Sequence, residues 1–144
     1  MHPYRNNIGA LIHAANLSHP PAAQGAGTRN GAVFTVGTFR SLVLSAVVGA
    51  VTGAPTAQTV TYKLQTSADG ATWVDAKDND GDTVAVALTA ANACAELDVN
   101  LQEVVPDDHD RLRVVETVAF TGGTAPTVLA SSTLILGGAQ TLPV

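Results

Sequence analysis

In the stretch Val60-Thr61-Tyr62-Lys63-Leu64-Gln65-Thr66-Ser67-Ala68-Asp69-Gly70-Ala71-Thr72-Trp73-Val74-Asp75, Val60, Tyr62, Leu64 and Thr66 alternate with Thr61, Lys63, Gln65 and Ser67. That is the period of a strand with one buried face. Asp69-Gly70 supplies the positive φ of a tight turn, and Trp73 is predicted to open the returning strand. The stretch reads as a β-hairpin with a large aromatic anchor, and no helical periodicity competes with it.

The same style extends in both directions. Val33 to Val36 and Ser41 to Val51, with Leu42, Leu44, Val47 and Val48, predict one or two strands. Gly49 to Thr56 holds the turn residues that end them. Val84, Val86 and Leu88 alternate, as do Leu97, Val99 and Leu101, the latter against polar Glu96, Asp98 and Asn100. Ala90 to Ala93 and Pro106 to Asp110 mark loops. Arg111 to Phe120 and Thr127 to Leu136 predict the last two strands, joined by Gly122-Gly123-Thr124-Ala125-Pro126. The expected fold is all-β, an antiparallel β-sandwich or jelly roll of about seven to eight strands. Tyr62, Trp73, Phe34, Phe39 and Phe120 are its candidate large core residues.

Residues 1–31 differ in style. They hold His2, His13 and His19, three of the four histidines, with Pro3, Pro20, Pro21 and a Gly-rich run from Gln24 to Gly31. Ile8, Leu11, Ile12 and Ala15 fall at helical spacing, so the reading is either a short helix between Asn7 and Leu17 or an extended arm. The expected organisation is an N-terminal arm, 1–31, and a sandwich domain, 32–144, ending in an apolar tail. From Leu134 to Val144 that tail carries no charged side chain.

The 144 residues suit one domain. Only 13% of them are charged, about half the usual share, which argues against disorder and for a surface rich in Thr, Ser, Ala and Gly. A net charge of -5, with seven scattered Lys and Arg, gives no basic stripe for phosphates, so no nucleic-acid partner is expected. Leu42 to Ala54 is too short and too polar for a membrane span, and the first residues lack the pattern of a signal peptide. The expectation is a soluble protein made in a reducing compartment. Cys94 is the only cysteine, so no internal disulfide forms; it is expected to be a small buried hydrophobe.

Chemistry is scarce. Asp75, Asp78, Asp80 and Asp82 form the densest acidic cluster and are the weak metal candidates. The helical calcium-loop template fails, because Gly81 at its sixth position puts Ala76 and Ala87 where carboxylates are required. A solvated turn is the competing reading. Asp107, Asp108, His109 and Asp110 sit too close in sequence to face one another as catalytic partners. Arg111 and Arg113 share a strand face and are expected to pair with Glu96, Asp98 or Glu116. The histidine spacings match no zinc pattern, and phosphate-loop and dinucleotide motifs are missing. The expectation is a protein without catalytic residues or cofactor.

Tyr62 to Trp73 resembles a hairpin recurring in virion structural proteins of tailed bacteriophages. The ending Leu112-Arg113-Val114-Val115, Gly122 to Pro126, Leu134 to Gly138 and Leu142-Pro143-Val144 is similar to small capsid decoration, or cement, proteins. The resemblance covers about residues 58–144. It implies a β-rich protein made in the host cytoplasm that sits on the outside of the phage head, binds the major capsid protein and reinforces its joints, as a homo-oligomer. Contact residues are then expected at the two ends: His2, Pro3, Tyr4, Ile8, Leu11, Ile12, Leu142, Pro143 and Val144. A tail or neck component is the alternative of the same kind. A carbohydrate-binding sandwich using Trp73 and the Asp75–Asp82 loop is the alternative of another class.

Overall fold

A computed structural model describes residues 8–140. After a single 3-10 turn (Ile8–Ala10), the chain forms β1 (Ile12–Gln24), β2 (Gly27–Thr35), β3 (Ser41–Thr52), β4 (Ala57–Ser67), β5 (Val74–Asp75), β6 (Ala85–Leu88), β7 (Ala93–Asn100), a one-turn helix α1 (Leu101–Val104), β8 (Arg111–Thr121) and β9 (Thr127–Gly137). They make two sheets. One has the order β1-β9-β3-β7; the other runs β2-β8-β4, with both β5 and β6 pairing onto β4. Every named pairing is antiparallel. With β5 and β6 taken as one interrupted strand, the chain pairs first with last, second with next-to-last, and so on inward. That is the two-sheet jelly-roll arrangement.

The core lies between the sheets and follows the alternation of the long strands. Leu42, Leu44, Ala46 and Val48 of β3 face Val60, Tyr62 and Leu64 of β4, with Leu112, Val114 and Val118 of β8 and Val128, Ala130, Leu134 and Leu136 of β9 filling the remainder. Phe34, Phe39 and Phe120 pack against this core and stay partly accessible. Asn100 caps α1, its side chain accepting from the Gln102 N–H at 3.2 Å.

Three expectations are corrected and one pair of alternatives is decided. From residue 8 to Leu17 the chain takes the extended reading: a single 3-10 turn is followed by β1 from Ile12, and residue 31 lies within β2. The burial of β1 explains why its sequence also offered a helix. Asn16, Ser18 and His19 point inward while Leu17 is exposed, so its apolar periodicity is inverted. Trp73 is not a core residue. It precedes the two-residue β5 and lies half-buried on the outer face of its sheet, because the turn spans Ala68 to Thr72. Cys94 is exposed, since its neighbours Ala93 and Ala95 take the inward positions on β7. Arg111 and Arg113 do not meet Glu96, Asp98 or Glu116. Arg113 bonds Gln65, Arg111 lies 3.6 Å from Asp110, and Glu116 faces the core, where Arg29 takes it.

Candidate interaction faces

Three of the four strands in the first sheet contain no Asp, Glu, Lys or Arg: β1, β3 and β9. Their outward positions are apolar or hydroxylic apart from the exposed His13 imidazole near the start of β1. Leu17, Val47 and Leu129 are 50%, 44% and 44% exposed, and between them lie Val43, Ser45, Ser131, Thr133 and Ile135. Register places Val47 opposite both Cys94 and Ser131, and Leu17 opposite Thr133. Charge enters only at the β7 edge, through Glu96 and Asp98. Such a face loses little hydration when covered, because no ion has to be stripped of water. Both edges of the sheet are blunted, one by Pro20-Pro21 and the register shifts of β1, the other by the acidic side chains of β7.

The outer face of the second sheet is its opposite in character. Arg113 of β8 donates through Nε and Nη2 to Gln65 Oε1 at 3.0 and 2.7 Å. Gln65 Nε2 in turn donates to Asp75 Oδ1 at 2.8 Å, and Lys63 Nζ reaches the same carboxylate at 2.9 Å. The Gln65 and Lys63 bonds hold the Asp75 carboxyl below its usual range. Over this row lies Trp73, with the Arg113 guanidinium 4.3 Å from its ring centroid and Nε1 donating to Gly70 O at 3.1 Å. Burial lowers the pKa of Arg113.

Between the sheets sits a polar cluster that sequence reasoning missed. Arg29 Nε and Nη2 donate to the two Glu116 oxygens at 2.6 and 3.0 Å, and the guanidinium also reaches Ala130 O at 3.1 Å and Pro20 O at 3.3 Å on the opposite sheet. His19 Nδ1 lies 2.9 Å from Ser132 Oγ and its Nε2 is 3.3 Å from Arg29 O, so Nε2 carries the proton if it bonds that carbonyl. Tyr62 donates to Ser131 O at 3.1 Å and meets His19 edge-on. Burial, then the nearby Glu116, raises the Tyr62 pKa strongly. Burial lowers that of His19, against the opposing pull of its Arg29 carbonyl bond and Glu116. The only signal in the sequence is the cluster of polar residues in a Pro- and Gly-rich segment, which reads as a loop.

The remaining candidate residues resolve simply. Asp75 is engaged by Lys63 and Gln65, while Asp78 Oδ1 accepts from the Asp80 and Asp82 N–H groups at 3.0 and 2.9 Å, closing its own turn. An open cleft of about 590 Å³ beside α1 gathers Asp75, Lys77, Asp78, Glu103 and Asp107, but no group of three or more His, Cys, Asp or Glu among the described residues could hold a metal. His109 Nδ1 is 2.8 Å from Thr66 Oγ1, which ties its loop to β4. Ile8 and Leu11 are exposed and Ile12 is partly buried at the start of β1. His2, Pro3, Tyr4, Leu142, Pro143 and Val144 lie outside the described residues. No helix among those described is long and apolar enough to cross a membrane.

No protein-family model matches the sequence, and no curated protein matches it. Among solved structures, the SPBc2 prophage-derived protein YomS is similar at 13% identity over 86% of this chain and 95% of its own, with a TM-score of 0.39. The Tobacco streak virus coat protein is similar at 10% identity over 96% and 93%, with a TM-score of 0.43. A family 22 carbohydrate-binding module of Clostridium thermocellum Xyn10B is similar at 17% identity over 90% and 82%, with a TM-score of 0.37. These similarities carry no argument about function.

Proposed function

We propose that this chain is a non-enzymatic virion structural protein that binds the outside of an assembled phage capsid and stabilises it. The observation that supports this most is the outer face of the adjacent strands β1, β9 and β3, which carries no Asp, Glu, Lys or Arg and is suited to burial against a protein shell. The jelly-roll order adds a fold-level analogy only, since capsid proteins, lectins and cupins share it. The contact extends from Leu17, Val47 and Leu129 to Ile8, Leu11 and Ile12 at the start of β1, and the chain ends complete it. Its partner is the major capsid protein, and copies of this chain associate with one another on the shell. A ligand that binds only the closed shell shifts the assembly equilibrium toward it, and repeated sites add avidity.

The test is co-sedimentation of the purified protein with capsids assembled without it, together with the temperature at which those shells rupture. Binding that raises the rupture temperature is expected, and Val47→Lys combined with Leu129→Lys should abolish it while leaving the melting curve of the free protein unchanged. Failure to sediment with shells would overturn the proposal, and recovery on isolated tails would move it to the tail or neck.

A further inference from the structure

We infer that the outer face of the second sheet is a saccharide-binding strip for carboxylate-bearing sugars, with Trp73 and Arg113 at its centre. Four observations converge on it. Val33, Arg113, Gln65 and Asp75 lie in one row across β2, β8, β4 and β5, since register pairs Val33 with Arg113, Arg113 with Gln65 and Gln65 with Asp75. The polar members of that row hold one another at 2.7 to 3.0 Å, so their remaining donors and acceptors are fixed before any ligand arrives. Trp73 is pinned by its indole N–H to Gly70 O, which fixes the ring above the row. Val33, 52% exposed, extends the apolar surface beyond Arg113.

A pyranose ring has an apolar C–H face and a rim of hydroxyls. An indole beside ordered amide, carboxylate and ammonium groups offers a partner to each. The charge pattern narrows the class. Within the strip Lys63 is matched by Asp75, whereas Arg113, among the described residues, bonds only the neutral amide of Gln65 and packs on the Trp73 ring. Its Nη1 has no hydrogen-bond partner among those residues, so the strip keeps one positive charge without a carboxylate. A sugar acid supplies that carboxylate, and a bidentate or charge-assisted bond to Arg is the strong form of such a contact. A nucleic acid would supply anions too, but it is held by a basic stripe running along several phosphates, and the strip keeps one cation, Arg113, for a single carboxylate. The strip lies on the opposite side of the sandwich from the uncharged face, so its fate is independent of the shell contact.

Trp73 is the sole tryptophan, so its fluorescence reports on this site alone. The experiment titrates the full chain with polygalacturonate and with polysialic acid, using dextran as the neutral sugar and polyacrylate as the acid without a ring. A saturable change in emission with at least one sugar acid is expected, with dextran and polyacrylate about tenfold weaker or worse. Affinity electrophoresis in gels containing the same polymers should show Trp73→Ala and Arg113→Gln weakened about tenfold, and Val47→Lys unaffected. If either strip variant loses its cooperative melt, the fluorescence titration of the unaltered protein decides. No response to either sugar acid, an equal response to polyacrylate, or full binding by a folded Trp73→Ala variant would overturn the inference.

Discussion

Arg29 of β2 and Glu116 of β8 are direct register partners, and their two hydrogen bonds of 2.6 and 3.0 Å are turned into the core rather than toward solvent. Glu116 is 1% exposed. The same guanidinium reaches two carbonyls of the other sheet, so one side chain fastens β1 and β9 to β2 and β8. Removing one partner leaves the other buried and uncompensated. Arg29→Met and Glu116→Leu are each expected to lower the unfolding free energy by about 3–5 kcal/mol, with the double variant recovering a large part of the loss. Urea denaturation of the four proteins checks this, and simple additivity would show that the pair does not act as a unit.

The cluster also sets a pH dependence. The folded pKa of His19 is depressed, chiefly by burial, so the unfolded chain binds a proton at higher pH than the folded one. The sign follows: the His19 contribution is fully present above the unfolded value of about 6.5 and is lost as pH falls below it toward the folded pKa. Arg29 and Glu116 face this ring from β2 and β8, Tyr62 from β4 and Ser132 from β9. Urea midpoints measured from pH 8 to pH 5 should fall more steeply for the unaltered protein than for His19→Gln. Parallel curves would remove His19 from the account.

A second acid-sensitive group lies at the hairpin turn. Asp69 Oδ1 accepts from the Ala71 and Thr72 N–H groups at 2.8 and 2.7 Å and from Ser67 Oγ at 3.0 Å. These bonds, the Thr72 N–H first, depress its pKa to about 2. Its contribution is present above the ordinary value near 3.8 and disappears as pH drops from there toward about 2. NMR titration of the Asp69 side chain reads the value directly, and a midpoint near 3.8 would mean the turn does not hold these bonds in solution.

Three glycines with positive φ should respond differently to alanine. A Cβ on Gly53 would come 2.6 Å from Pro126 Cα and Thr124 O, and one on Gly123 would come 2.6 Å from Gly53 O. These two loops interlock, with the Thr124 N–H donating to Gly53 O at 2.9 Å. Gly81 has the same backbone hand but nothing within 4 Å. Gly81→Ala should therefore cost about 1 kcal/mol from the left-handed conformation alone, and Gly53→Ala and Gly123→Ala distinctly more. Thermal melts of the three variants rank them.

Cys94 provides a chemical handle on the uncharged face, because it is exposed and sits opposite Val47. A maleimide carrying a bulky group is expected to react with the folded protein and, if that face meets the shell, to block co-sedimentation with capsids. Cys94→Ser labelled in parallel should bind normally. Unimpaired binding after full labelling would place the contact elsewhere.

Much of the sandwich is legible in the sequence wherever an inward apolar row alternates with an outward polar one. Within β4 the buried positions Val60, Tyr62, Leu64 and Thr66 are those the period selects, and β8 and β9 begin where the turn residues stop. β1 is illegible for the converse reason: its inward row is Asn16, Ser18 and His19, which a hydrophobic pattern cannot register. Trp73 misleads through its size. A ring that large is most simply placed in a core, but the turn at Asp69 is long enough to lay it on the outside against Arg113. Neither candidate face is visible before the strands are assigned to sheets, since the absence of charge from β1, β3 and β9 becomes one surface only through their adjacency.

The pairing of β1 with β9 and of β2 with β8 has a kinetic consequence. Ile12 meets Gly137, and Gly27 meets Val118, so β1 and β2 have no sheet partner until β9 and β8, far along the chain, have been synthesised. Closing loops of this span before any contact rewards them makes folding slow. During translation the β1–β2 segment must wait with its hydrogen-bonding edges open, and that interval is when aggregation competes most strongly with reaching the native state.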